Sequence, residues 1–84
     1  MILETWDEAK LKLLYPQGKT FVNTKDNHYK FWHIVRKGTE VTTSWGRMGK
    51  KIQTLDKSFG YEYAADTFMD QKIREKTRKR YEEI

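Results

Sequence analysis

The chain has 84 residues, so it forms one domain at most, with a small core that all of its elements share. It contains no cysteine, which excludes a disulfide framework and a thiolate metal site and fits the reducing cytoplasm, where we expect the protein to reside. Seventeen basic residues against twelve acidic ones favour an anionic partner, most often nucleic acid. We expect neither a signal peptide nor a membrane anchor, because no apolar run is long enough.

The N-terminal region gives weak and mixed signals. Thr5 and Glu8 form a possible capping pair, so this stretch is either one helical turn or an irregular lead-in. The mixed polarity of Leu11 to Tyr15 predicts a strand. A turn follows at Pro16–Gly18, and Thr20–Asn23 is expected to be a short extended segment.

The middle of the chain predicts an antiparallel meander. Aromatic and β-branched residues dominate His28–Arg36, which is the strongest strand signal. Both faces of that strand carry apolar side chains, so alternation does not identify the buried one. Turns at Lys37–Gly38 and Met48–Lys51 separate it from two further predicted strands, Thr39–Arg47 and Ile52–Asp56.

The C-terminal region changes to a helical period. An apolar stripe recurs every four residues, and Phe68 lies beside it. The stripe consists of Ala65, Met69, Ile73, Thr77 and Tyr81. We therefore predict a helix over about 61–77 and an α+β fold, an antiparallel β-sheet meander with one C-terminal α-helix packed on one face.

Trp45, Gly46 and Arg47 are the most distinctive residues of the second predicted strand. Because side chains alternate along a strand, Trp45 and Arg47 share one face. If that face is wet, the indole is a stacking plate for a base or ribose, and the guanidinium reaches a phosphate. If the face is dry, Trp45 is a core residue and Arg47 covers its edge. Gly46 indicates a bulge or a close approach to the backbone.

These residues stand in an ordered set that resembles the WGR domain, which is named for its Trp-Gly-Arg tripeptide. The set begins with Lys30-Phe31-Trp32 and ends with Glu75-Lys76-Thr77 and Tyr81, so the resemblance covers about Asn27 to Tyr81. Such domains occur in DNA-damage-dependent poly(ADP-ribose) polymerases and in small bacterial proteins. We interpret residues 1–84 as a single WGR-like domain, in which residues 1–24 match poorly and their role is open.

The resemblance implies an antiparallel sheet with one helix and a nucleic-acid-binding function. In the polymerases the motif tryptophan packs against the terminal nucleotide at a break, while basic residues hold phosphates. Carried over, the expected binding residues are Trp45, Gly46, Arg47, Lys50, Lys51 and Lys76. DNA is the more strongly expected nucleic acid, and ends, nicks or single strands are the expected targets, because flat stacking needs an unstacked surface.

The sequence departs from the family pattern at two positions. Ile52 stands where relatives often have a glycine, and Arg80 stands where bacterial members often have the glycine before Tyr81. A helix without that glycine lacks its usual left-handed stop. We therefore expect this helix to run further than in relatives.

No residue set predicts catalysis, a metal site or a cofactor. His28 and His33 are the only histidines, and they would face opposite sides of a strand. We find no nucleophile-base pair or phosphate-binding loop, so we expect no enzyme. One alternative is a protein-docking module that uses the same aromatic and basic face. Another is an adaptor that holds an acidic protein by charge.

Overall fold

The computed structural model describes residues 8–25 and 29–84. Within these ranges the chain forms two helices and five strands. They are α1 (Glu8–Leu14), β1 (Lys19–Asn23), β2 (Lys30–Lys37), β3 (Glu40–Arg47), β4 (Gln53–Ser58), α2 (Glu62–Arg78) and β5 (Glu82–Glu83).

The strands form one antiparallel sheet in the order β4-β3-β2-β1-β5. Strands β1 to β4 follow one another as neighbours, which confirms the predicted meander. After α2 the chain returns to the far edge, where β5 pairs with β1. The sequence did not predict β5, because two residues are too few to show an alternating pattern.

The α2 face of the sheet holds the larger part of the core. Its buried members are Phe21, Trp32, Ile34 and Val41, together with Ala65 from the helix. Ala65 is fully buried, whereas Phe68, Met69 and Ile73 are half-buried and pack against the same cluster. The predicted C-terminal helix is therefore confirmed, together with the first three residues of its apolar stripe. Of the other two, Thr77 is exposed and Tyr81 lies beyond the end of the helix.

The opposite side, the α1 face, corrects two predictions. Leu11 to Tyr15 was expected to be a strand, but Leu11–Leu14 belongs to α1. Glutamate, alanine, lysine and leucine are good helix formers, and Leu11 and Leu14 lie three apart on the side of the helix that is turned inward. The sheet is therefore covered by a helix on each face, not on one. The Thr5–Glu8 capping pair falls partly outside the described residues.

This second layer explains why β2 is apolar on both faces. Phe31 and His33 face α1, while Trp32 and Ile34 face α2, and all four are buried. A strand that lies between two layers cannot show the alternation of a half-wet strand. Phe31 joins Leu11 and Val22 in a second buried cluster on the α1 face.

The end of α2 corrects the expectation that this helix lacks a left-handed stop. Arg80 adopts φ +68°, the left-handed conformation that glycine usually supplies at this place. The Tyr81 N–H donates to the Lys76 carbonyl at 3.1 Å, and the Arg80 N–H donates to the Thr77 carbonyl at 3.1 Å. This pair of bonds is the Schellman arrangement, so the helix ends at Arg78 even without glycine. The Asn23 side-chain amide also donates to the Lys79 carbonyl at 3.2 Å, which holds the turn next to β1.

Candidate nucleic-acid interface

One end of the α2 face carries a cavity of about 290 Å³. All six residues that the sequence predicted for binding line it, although they come from three segments of the chain. Trp45, Gly46 and Arg47 come from the end of β3, and Lys76 comes from the last turn of α2. Lys50 and Lys51 come from the turn after β3, which the Lys50 N–H closes by donating to the Arg47 carbonyl at 3.0 Å.

Four other residues complete the cavity, and the sequence analysis missed them as site residues. They are Lys30, Phe31, Gln53 and Tyr81. Lys30 lies directly opposite Arg47 in the β2–β3 register, and Gln53 lies opposite Trp45 in the β3–β4 register. A correctly registered meander would have placed both of them here. Tyr81 was interpreted as part of the helix stripe, but it lies beyond the end of the helix and turns back to the sheet.

Trp45 is half-buried, so it is neither a fully buried core residue nor a fully exposed stacking residue. On the inner side it packs against the α2-face core, and Trp32 is its partner on β2. Its remaining surface lines the cavity. The core therefore fixes the orientation of the indole, while part of the ring stays open to a ligand.

A side chain at Gly46 would point to the α1 face of the sheet. The register of β2 and β3 runs unbroken past the Phe31–Gly46 pair, so there is no bulge. A side-chain β-carbon at this position would lie 3.2 Å from Phe31 Cε1 and 3.4 Å from Ile52 Cγ1. The close approach of the Phe31 ring thus accounts for the glycine, while Ile52 lies at ordinary contact distance. Ile52 packs against the α1-face cluster, in the position where relatives often have glycine.

Lys76 is a half-buried cation in an aromatic setting. Its Nζ lies 5.5 Å from the centroid of the Trp32 ring and 5.3 Å from that of Tyr81, both within range of cation–π attraction. Burial lowers the pKa of Lys76, and repulsion from Lys79, Lys30 and Lys72 lowers it further, although Glu75 opposes this.

The cavity concentrates positive charge without internal neutralisation. Among the residues that the structure describes, five cations line it, namely Lys30, Arg47, Lys50, Lys51 and Lys76, and no carboxylate does. Within residues 8–25 and 29–84, none of the five forms an ion pair with an acid. Lys30 and Arg47 face each other across two strands, an arrangement of like charges that costs stability. Such a site is suited to a polyanion that carries a flat group.

Comparison with known proteins identifies the class of domain. The family model of the WGR domain matches residues 18–84, so the chain belongs to the WGR-domain family, and the predicted resemblance is confirmed. The match begins before Asn27 and therefore includes β1, which the resemblance alone had left out. WGR domains are nucleic-acid-binding modules of poly(ADP-ribose) polymerase-like proteins and are not catalytic domains.

A solved structure has the same fold. It is the crystal structure of a Bacteroides fragilis protein from the Northeast Structural Genomics Consortium, with 34% sequence identity and a TM-score of 0.75. The alignment covers 81% of this chain but only 19% of that protein, so the chain corresponds to about a fifth of its length. No protein with a curated description matches this chain.

The described residues, 8–25 and 29–84, include the helices α1 and α2. Neither helix there is long and apolar enough to cross a membrane. No group of three or more histidine, cysteine, aspartate or glutamate side chains in those ranges is placed to hold a metal ion.

Proposed function

We propose that this domain binds DNA at ends, nicks or single-stranded stretches. Trp45 stacks on the exposed base or sugar, and the cations around it hold the flanking phosphates. The observation that carries the proposal is a half-buried indole in a cavity with five cations and no carboxylate.

The stacking step depends on an exposed flat surface in the ligand. Inside an intact duplex both faces of every base pair are covered by neighbours, so an indole can stack only by unstacking them. A terminal nucleotide, a nick or a single strand offers a free face without that cost, and stacking contributes about 1–3 kcal/mol per base. The fixed orientation of Trp45 against the core reduces the entropy that binding costs.

The electrostatic step depends on the cations that have no acidic partner. Each lysine or arginine that neutralises a phosphate releases a counterion, and this gain falls as salt rises. A phosphate placed between Lys30 and Arg47 would also relieve the repulsion between them. Lys76, whose charged form is disfavoured by its surroundings, would gain in the same way.

The test is a fluorescence titration of labelled DNA that is blunt, nicked, single-stranded or closed and circular, at several salt concentrations. With five phosphate contacts we expect a slope of log K against log salt of about −4 to −5 on duplex ends. Replacing Lys50 and Lys51 with glutamine should make that slope shallower by about 1–2 units. Lys37→Gln is the matched control, because Lys37 lies at the other end of β2.

Substitutions of Trp45 separate stacking from charge. Trp45→Ala should weaken binding to ends about tenfold or more while leaving the salt slope unchanged. Trp45→Phe should keep part of the affinity. A parent slope near zero would instead favour the protein-docking function, because an apolar docking face responds little to salt. Tighter binding to RNA of the same form would overturn the assignment to DNA.

A further inference from the structure

A second cavity, of about 410 Å³, lies beside the first on the α2 face. The two cavities share Trp45 and Lys76, so these side chains form the divide between them. The second cavity extends from this divide to Leu55 and Lys57 on β4 and to Phe68 and Lys79 of the α2 segment. Its volume is within the range of roughly 300–1,000 Å³ that small-molecule sites occupy.

The second cavity is also cationic. Lys57, Lys72, Lys76 and Lys79 line it, against a single acid, Glu75. Glu75 is already engaged by the Lys72 ammonium at 3.4 Å. Lys57 and Lys79 have no acidic partner anywhere in the described parts of the chain.

The walls between these cations are aromatic and aliphatic. The ring of Phe68 has the Lys57 ammonium at 4.8 Å and the Lys72 ammonium at 5.5 Å from its centroid. Leu55, on the edge strand β4, is 57% exposed and contributes nothing to the buried core. A groove that combines apolar and aromatic surface with ammonium groups suits a single nucleic-acid strand, and two of these groups, Lys57 and Lys79, have no acidic partner among the described residues.

We propose that the second cavity holds the unpaired strand that continues past the nucleotide stacked on Trp45. This inference rests on the proposed function of the first cavity. A duplex cannot extend through the divide, because the indole occupies the place of the next base pair. One unpaired strand can pass the ring, with its phosphates near Lys57 and Lys79 and a base against Phe68 and Leu55. The domain would then prefer a DNA end with a short overhang to a blunt end.

The experiment compares a blunt duplex with the same duplex carrying a three-nucleotide overhang, on either the 5′ or the 3′ strand. The parent should bind one of the two overhang duplexes about tenfold more tightly than the blunt one. The double variant Lys57→Gln/Lys79→Gln should abolish this difference and leave affinity for the blunt duplex unchanged. Neither lysine lines the first cavity.

Two controls keep the result interpretable. Lys50→Gln, which changes only the first cavity, should weaken binding to blunt and overhang duplexes by the same factor. Lys79→Gln alone repeats the test without removing the contacts of Lys57 with Phe59 and Phe68, and its melting temperature should match that of the parent.

Two outcomes would overturn the inference while the proposed function stands. One is a parent that binds blunt and overhang duplexes equally, and the other is a double variant that weakens both equally. A parent that binds none of these duplexes would instead contradict the proposed function itself.

Discussion

The two faces of the sheet differ in whether their polar and charged side chains have partners. On the α1 face, buried polar side chains have polar partners: Thr20 Oγ1 lies 2.8 Å from His33 Nδ1, and Ser44 Oγ lies 3.2 Å from Oγ1 of the exposed Thr54. Tyr15 stacks on His33 with ring centroids 4.5 Å apart. Among the described residues no buried side-chain nitrogen or oxygen lacks a partner. The α2 face instead ends in cations that no acid of residues 8–25 and 29–84 neutralises.

This difference separates a surface that serves folding from one that serves binding. Interactions that stabilise the native state are complete on the α1 face. On the α2 face, cations lie close to one another without acidic partners among the described residues, and this repulsion costs stability. Costly arrangements of this kind are typical of functional sites, where a ligand supplies what the fold lacks. Substitutions on the two faces should therefore affect stability and binding differently.

The largest expected effect is on the free energy of unfolding, and it should distinguish an aromatic residue on the α1 face from one on the α2 face. Phe31 is 1% exposed, and Phe31→Ala should cost about 3–5 kcal/mol of unfolding free energy. Trp45 is only half-buried, so Trp45→Ala should cost about half as much, while affinity for DNA ends falls about tenfold or more. Urea unfolding of both variants measures the costs. If Trp45→Ala is as destabilising as Phe31→Ala, the indole serves the core, and its contribution to binding is indirect.

Lys76→Met should separate stability from binding. Removing a cation with a lowered pKa relieves desolvation and repulsion, but it also removes the contacts with Trp32 and Tyr81. We expect the free energy of unfolding to change by no more than about 1 kcal/mol, because cation–π contacts contribute about that much. Affinity for DNA ends should fall about tenfold, or 1.4 kcal/mol.

Lys72→Met is the comparison for that variant. Lys72 lies on the same helix, pairs with Glu75 and does not line the first cavity. Its replacement should leave binding to blunt ends unchanged. Equal losses of affinity in the two variants would mean that general charge, not the position of Lys76, determines binding.

Arg80→Gly should stabilise the domain by up to about 1 kcal/mol. A left-handed conformation costs an L-residue about 1–2 kcal/mol, which glycine avoids. The greater flexibility of glycine in the unfolded chain offsets part of this gain in stability. Arg78→Gly, which removes the same charge two residues earlier in the helix, should instead destabilise it by about 0.5–1 kcal/mol. Thermal unfolding distinguishes them, and a destabilised Arg80→Gly variant would show that the side chain of Arg80 contributes to the fold.

The smallest expected effect is a pH dependence that arises on the α1 face. Burial lowers the pKa of His33 below its ordinary value of 6.5, while a backbone hydrogen bond at Lys19 partly opposes this. Below pH 6.5 His33 is therefore protonated in the unfolded chain but stays neutral in the native protein. The free energy of unfolding decreases as the pH is lowered from 6.5 to the native pKa of His33. The melting temperature should be lower at pH 5.5 than at pH 7.5. The His33→Gln variant should lose less over the same interval, and an equal loss would assign the effect to other groups.

Much of the architecture could be predicted because its signals are local. The aromatic strand that became β2, the turns on either side of β3 and the four-residue stripe of α2 each lie within one short stretch of sequence. The six predicted site residues also lie around one cavity, because the tripeptide and the helix lysine belong to a pattern that resembles a known family.

Other features depended on contacts between distant parts of the chain. The mixed polarity of Leu11 to Tyr15 wrongly predicted a strand, because so short a segment has little helical pattern. Packing of Leu11 on Val22 and Phe31 accompanies the helix that forms there. Pairing with β1 made a strand of two glutamates.

The completed site shows the same division between sequence and tertiary structure. The sequence alone indicated which residues share a face of β2, β3 and α2, since side-chain direction follows from the local backbone. Only the register of β2 with β3 set Lys30 against Arg47, and only the left-handed turn at Arg80 brought Tyr81 back to the cavity. The register is determined by hydrogen bonds between strands that no local pattern connects. The turn at Arg80 is held by bonds to the end of α2 and by the Asn23 side chain of β1.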